Sequence, residues 1–269
     1  MNPAPIVVAM LRRHAAICAM FALLIALAVG LGGVLTAQER ALRQGSARAA
    51  DRFDIVVAAP GSHTDLLLKV VFLQPGAVEL LSGPPLRRLL AETRAEFVAP
   101  VGFGDSHLGS PVVGTIAALV THLAGGPLEG RMFEGVQEAV AGADVPLAIG
   151  DEFEAAHGEE AGPEADHHPQ ALTVVGRMPP TGTPWDRAIL VPIEFVWQVH
   201  GLGTGHAEEE HAVDDHADEG SGSEAGEDHD HAEVHETRIG PPFDAAEIPG
   251  IPAVIVKPAT LAAAYGMRG

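Results

Sequence analysis

The stretch Glu138–Phe153, EAVAGADVPLAIGDEF, begins with a short apolar run that stops at a glycine. The run Ala139–Gly142 predicts a buried strand, because short apolar runs bounded by turn residues are typical of strands. Leu172–Gly176, in the later stretch LTVVGRM, predicts a second strand for the same reason. Further strands are predicted at Phe97–Val101, Val112–Ile116 and Ala188–Val191, and helices at Thr64–Phe72, Pro84–Thr93 and Ile193–His200. Short strands mixed with short helices indicate an α+β domain over residues 53–199.

A low-complexity insert follows this domain. Residues 200–238 consist mainly of Gly, Ala, His and acidic residues without apolar periodicity, so we expect a disordered loop. The run Ile251–Pro258 then predicts a strand, and the sequence ATLAAAYGMRG after it predicts a helix. Residues 239–269 are therefore expected to return to the α+β domain as a strand and a helix.

An uncharged run of 21 residues, Ala15–Leu35, lies near the N-terminus. At about 1.5 Å per residue, the run covers the roughly 30 Å of a hydrocarbon core. This predicts a short N-terminal segment, residues 1–14, followed by a transmembrane helix over residues 15–36. Residues 37–52 lack proline and are expected to continue it as a polar helical stalk. A cleaved signal peptide is the alternative, although its apolar region is normally only about 7–15 residues long. Arginines flank the run on both sides, so the positive-inside rule leaves the orientation open.

The charge distribution limits the possible partners. The formal charge is −20, and residues 200–236 contain thirteen acidic residues and no Lys or Arg. Such a field repels phosphate and argues against nucleic-acid binding. The two lysines, Lys69 and Lys257, are followed by Val and Pro, so the chain lacks the Gly-Lys-Ser/Thr signature of a phosphate-binding loop and is not expected to hydrolyse ATP. The single cysteine, Cys18, excludes an intrachain disulfide and a Cys-based zinc motif.

Three histidines in the insert are candidate metal ligands. His229, His231 and His235 lie among carboxylates in the stretch EDHDHAEVHE. Imidazoles with nearby carboxylates suit zinc or a similar divalent cation. A solvated acidic loop is the alternative, because this spacing outside a helix does not form a site until the ion orders it.

The other histidines have ordinary structural interpretations. His157, His167 and His168 lie in a polar stretch and are expected at the surface. His200 ends a predicted helix, where a basic group interacts favourably with the helix dipole. For His157, His167 and His168, metal binding is the less favoured alternative to a surface position.

A hydrolase is a weaker alternative. Gly104, Asp105 and Ser106 follow a predicted strand, as the nucleophile block does in hydrolases of the GDSL type, and Asp228 with His231 forms a D-x-x-H pattern. A serine nucleophile needs a base that a third group orients. The block lies too far from the first predicted strand for that type of enzyme, so no catalytic or cofactor-binding residue is assigned.

Several stretches together resemble a known family. They are DIVVAAPGSHTDLLLKVVF, GRMFEG, EAVAGADVPLAIGDEF, LTVVGRMPPTGTPWDRAILVPIEFVWQVHG and AVIVKP, in that order after one apolar helix. The chain resembles ABC transporter permeases with a MacB-like periplasmic core domain and an FtsX-like membrane domain. The resemblance covers nearly the whole chain, and the EAVAGADVPLAIGDEF and TVVGRM stretches are its most specific part.

The resemblance implies a place in the bacterial inner membrane, with a cytoplasmic N-terminus and most of the chain in the periplasm. It also implies a homodimer that works with a separate cytoplasmic ABC ATPase in export or mechanotransmission, and no enzymatic activity in this chain. The family's three C-terminal transmembrane helices do not occur in these residues, so we expect a fragment or a truncated gene product. A membrane-anchored periplasmic protein that binds zinc through its His-rich loop is the alternative.

Overall fold

The computed structural model describes residues 3–76, 78–158, 167–202, 205–206, 238–248 and 250–267. The chain divides into two compact units, Met1–Arg48 and Ala49–Gly269. The predicted insert, residues 200–238, lies outside the described residues except at its two ends.

The first unit is helical. Helix α1 spans Ala4–Arg13, and helix α2 spans Ala15–Ala50 without interruption. Within the described part of the chain, α2 is the one helix that is long and apolar enough to cross a membrane. Its polar end continues the apolar run as predicted, with Glu39 and Arg43 paired across one turn at 2.8 Å. At about 1.5 Å per residue, α2 is about 54 Å long and exceeds the hydrocarbon core by about 24 Å.

The second unit confirms the predicted α+β class. Its strands are β1 Ile55–Val57, β2 Ala95–His107, β3 Ser110–Thr115, β4 Glu129–Gly130, β5 Glu138–Ala141, β6 Glu152–His157, β7 His167–Arg177, β8 Ile189–Pro192 and β9 Ala253–Pro258. Its helices are α3 His63–Val70, α4 Gly83–Leu90, α5 Ala117–Ala124, α6 Ile193–Val199 and α7 Leu261–Met267, with a 3₁₀ turn at Pro184–Arg187.

Six of the strands form a closed ring of pairings. The sheet runs in the order β1-β9-β2-β3-β8-β5-β7-β4, and β6 pairs with both β2 and β7. Strands β2, β3, β8, β5, β7 and β6 therefore close on one another, while β9 and β1 extend the sheet from β2. The β3–β8 and β5–β7 pairs are parallel, and the other pairs are antiparallel.

The central strands are buried on both faces. In β8, Ile189 and Val191 belong to one hydrophobic cluster and Leu190 belongs to the other. In β9, Val254 and Ile255 likewise point into different clusters. Strands covered on both sides need apolar residues at consecutive positions, which is why they appear in the sequence as unbroken apolar runs.

The two stretches that best carry the family resemblance join in the core. Arg177, at the end of β7, donates hydrogen bonds to the backbone carbonyls of Gly142, Ala143 and Val145 at 3.1–3.2 Å, and also to that of Leu147. These carbonyls lie in the loop after β5. One guanidinium therefore holds the loop of the first stretch against the strand of the second.

Several elements depart from the sequence-based prediction. Strand β2 continues through GFGDSH to His107, β7 begins at His167 instead of Leu172, and helix α5 and strand β6 were not predicted. Gly and Asp are unfavourable in strands, and β6 alternates exposed and buried residues with charged side chains. Pairing with neighbouring strands overrides these local preferences. Helix α5, AALVTHLA, is almost wholly apolar and lacks the amphipathic pattern of a surface helix.

Candidate functional site

Asp105, His157 and His200 converge in the second unit. The Asp105 carboxylate contacts both imidazoles, with Oδ1 3.0 Å from His157 Nδ1 and Oδ2 3.4 Å from His200 Nε2. The ring centroids of the histidines are 4.8 Å apart. One ligand atom from each of the three residues lies within 4.8 Å of the other two. We call these three residues the Asp–His–His cluster.

An irregularity in β2 positions Asp105. The register between β2 and β3 shifts between Gly102 and Asp105, which indicates a bulge, and bulges re-aim side chains. Gly104 within it has φ +146°, a conformation that residues with a side chain rarely adopt. The Asp105 side chain is only 1% exposed. A carboxylate buried to this extent requires partners that compensate its lost hydration.

Strand β6 supplies His157 as its last residue. Asp105 and His157 are direct partners in the β2–β6 pair. The Gly158 N–H donates to the Gly104 carbonyl at 3.0 Å, and the Ser106 hydroxyl donates to the Gly158 carbonyl. The backbone next to His157 is thus held on both sides, although the imidazole itself is 46% exposed.

Helix α6 supplies His200, which lies at its C-cap as the sequence predicted. The helix packs closely against β3 at Gly114. A Cβ at this position would lie 2.5 Å from Val196 Cγ2, so only glycine allows this approach. The close packing places the C-terminal end of α6 beside the bulge in β2.

The cluster is electrostatically coupled. The hydrogen bond to Asp105 raises the pKa of His200 above its ordinary value, and partial burial opposes this rise. The buried carboxylate therefore stabilises the positive charge of a protonated His200, and it would stabilise a bound metal cation in the same way.

A cleft of about 640 Å³ lies beside the cluster. Asp105, Ser106 and Gly158 line it on this side, and Lys69 and Arg187 bring positive charge to the lining. The Ser106 hydroxyl donates to a backbone carbonyl and is mostly buried, which is not the arrangement of a serine nucleophile paired with a base. Asp228 and His231, the partners of the hydrolase alternative, lie outside the described residues.

The predicted metal ligands of the insert, His229, His231 and His235, also lie outside the described residues. The structure instead brings together His157 and His200, which sequence reasoning had interpreted as a surface residue and a helix end. The other two histidines, His167 and His168, are the first two residues of β7. No spacing rule links Asp105 to the two histidines, because each comes from a different element.

A second buried acid, Glu194 in α6, contacts residues near both ends of the insert. Glu194 is 1% exposed, and its Oε1 accepts the Gly240 N–H at 2.7 Å and lies 3.4 Å from His206 Nε2. Burial raises the pKa of Glu194 above its ordinary value. Near it, the rings of Trp197 and Phe243 meet edge to face at 5.5 Å. This contact set keeps residues 206 and 240 beside the same carboxylate.

Comparison with known proteins finds similarity among solved structures. No family model matches the chain. No curated protein matches it. Among solved structures, it is similar to the extracellular domain of the noncanonic ABC-type transporter YknZ from Gram-positive bacteria, with a TM-score of 0.34 and 10% sequence identity over 70% of this chain and 78% of that chain.

Proposed function

We propose that the chain is the membrane-anchored, extracytoplasmic part of a MacB/FtsX-type ABC transporter permease. The observation that supports this most directly is α2, in which an apolar span and a charged stalk form one uninterrupted helix up to Ala50. A helix with all its internal hydrogen bonds is stiff, so displacement of one end is carried to the other. In this proposal the chain has no catalytic residue and transmits the work of a separate cytoplasmic ATPase for export or mechanotransmission.

The proposal includes a topology and partners. The N-terminus is cytoplasmic, α2 crosses the inner membrane, residues 53–199 and 239–269 form a periplasmic domain, and the permease acts as a homodimer. The family resemblance of the sequence supports these assignments. The strongly negative insert is compatible with an exposed position and unfavourable for contact with anionic phosphate groups.

Single-cysteine variants test the topology. In a Cys18→Ser background, Ala4→Cys and Glu129→Cys each place one thiol at an exposed position. We expect a membrane-impermeant maleimide to label Glu129→Cys in intact spheroplasts and Ala4→Cys only after permeabilisation. The reverse pattern would show the opposite orientation and would rule out a periplasmic domain.

Co-purification tests the partner. The chain is expressed together with a cytoplasmic ABC ATPase of the same genome, and any complex is isolated through a tag on this chain. We expect a stable complex whose ATP hydrolysis falls when the stalk carries Gln38→Pro, because proline interrupts the helix. Gln44→Ala is the matched control on the same stalk. Equal hydrolysis in both variants would contradict mechanical coupling through α2.

Cation capture is a second candidate function, favoured by the closely spaced imidazoles and carboxylates in the sequence of the insert. Here a membrane-anchored periplasmic chain binds zinc through His229, His231 and His235. The test is a zinc titration of the detergent-solubilised chain with and without residues 207–237. Equal binding by the two proteins would eliminate the insert as the binding element.

A further inference from the structure

We propose that Asp105, His157 and His200 form a binding site for a divalent transition-metal cation, with Zn²⁺ as the best-fitting ion. Three donors from three different elements meet there, and the carboxylate, which contacts both imidazoles, is almost fully buried. The folded domain builds this site, which makes it independent of the insert histidines and of the transport function proposed above.

The distances suit zinc. Ligand atoms about 2.0–2.1 Å from a tetrahedral zinc ion lie about 3.3 Å from one another. The two carboxylate–imidazole distances, 3.0 Å from Oδ1 to His157 and 3.4 Å from Oδ2 to His200, are close to this value. They involve different oxygens, so a single ligand oxygen must shift slightly to approach both nitrogens. The largest separation in the cluster, up to 4.8 Å, must shorten by about 1.5 Å to reach that geometry. His157 can supply this movement, because its imidazole is half-exposed at the end of a strand.

The donor set selects the type of ion. Two imidazole nitrogens and one carboxylate oxygen are typical of zinc sites that keep a fourth position for water or another ligand. Ca²⁺ and Mg²⁺ prefer sites made of oxygen atoms alone and require more of them. The site is therefore expected to discriminate Zn²⁺ and Co²⁺ from Ca²⁺ and Mg²⁺.

The surroundings hold the backbone of the ligand residues in place before an ion binds. The glycine at position 104 has φ +146°, a backbone conformation that lets β2 bulge next to His200. The backbone bond from Gly158 to Gly104 fixes the end of β6 next to His157. Supporting contacts of this kind orient ligands and raise the affinity of a metal site.

The same contacts also fit a purely structural polar cluster, in which protonated imidazoles pair with Asp105. The two interpretations differ in one measurable property. A structural cluster has no affinity for cations, whereas the proposed site binds one Co²⁺ per chain and gives the visible spectrum of a tetrahedral complex.

The experiment uses the full chain in detergent after removal of metals with a chelator. Residues 207–237 are replaced by a short Gly-Ser linker to remove the insert histidines. The Glu194 contacts show that a short linker suffices, because His206 and Gly240 both lie against its Oε1. Co²⁺ is titrated by absorption spectroscopy, and Zn²⁺, Ca²⁺ and Mg²⁺ are added as competitors.

We expect the linker variant to bind one Co²⁺ that Zn²⁺ displaces and Ca²⁺ and Mg²⁺ do not. In that background, His157→Ala and His200→Ala each weaken binding by at least the roughly 10- to 100-fold that loss of a supporting group costs. His107→Ala is the matched control, because this β2 histidine contacts the Glu154 carbonyl instead of Asp105. Circular dichroism verifies that each variant is folded, and half-exposed His157 keeps the test valid if His200→Ala does not fold.

Two results would overturn the proposal. The first is a linker variant that binds no Co²⁺, which would leave the insert as the source of any binding in the whole chain. The second is unchanged affinity in folded His157→Ala. The topology and ATPase experiments do not depend on either outcome, so the transport proposal stands or falls separately.

Discussion

Replacement of Arg177 by alanine should strongly destabilise the second unit. Its guanidinium donates to four backbone carbonyls of the loop after β5. A hydrogen bond contributes about 0.5–1.5 kcal/mol net, and one from a charged donor about 1.5–3 kcal/mol. Because Arg177 is only half-buried, water replaces part of the loss, and we expect Arg177→Ala to lower the free energy of unfolding by about 3–5 kcal/mol.

Thermal unfolding of the full chain in detergent, followed by circular dichroism, measures this effect. For a domain of this size, about 1 kcal/mol corresponds to roughly 2–4 °C in Tm, so Tm should fall by about 6–20 °C. Arg177→Lys should lose a smaller part of the stability, since an ammonium group can still donate to some of the four acceptors. It should still lose some, because it cannot reach all four at once. Arg187→Ala, at an exposed position ten residues away, is the control and should change Tm by less than about 2 °C. An Arg177→Ala variant as stable as this control would refute the role assigned to the guanidinium.

Three further substitutions test other parts of the fold. Gly114→Ala places a Cβ against Val196 and should lower the free energy of unfolding by about 1–3 kcal/mol in thermal melts. A hydrogen bond from Arg131 lowers the pKa of Glu138 to about 2, so its stabilising contribution is present above about pH 4.5 and is lost as the pH falls towards 2. In urea titrations, the stability difference between wild type and Glu138→Gln should therefore shrink over this range. Burial raises the pKa of Glu194, so the folded state holds its proton more tightly and stability falls as the pH rises above about 4.5. Glu194→Gln should remove this loss, and wild type should become less stable relative to it as the pH rises.

Each of these substitutions has a control or a contradicting result. Gly61→Ala adds a Cβ that meets nothing closer than 3.9 Å and should leave Tm unchanged, in contrast to Gly114→Ala. If the difference in unfolding free energy between wild type and Glu138→Gln did not change with pH, the pair of Glu138 and Arg131 would not be a source of acid sensitivity. A Glu194→Gln variant that loses stability in parallel with wild type as the pH rises would show that other groups cause the slope.

Much of the fold could be predicted from local patterns. The apolar run Ala15–Leu35 has the length and composition of a membrane span, and the strand at Ala188–Val191 is apolar because both of its faces are packed. Strand β6 and the extension of β2 were missed, because their residues are polar or small and only pairing with other strands makes them extended. Long-range pairing of this kind leaves no periodic signal in a single segment.

By itself, the sequence determined the apolar helix, its polar continuation, the α+β class and the acidic insert, since each depends on composition or periodicity over a few adjacent residues. Only the tertiary structure decided the site. Asp105, His157 and His200 are distant in the chain, and none has a neighbouring pattern that marks a ligand. A bulge aims the first, strand pairing places the second, and a helix packed on a glycine places the third. The distances between side chains follow from how the elements pack, and no local pattern of residues encodes them.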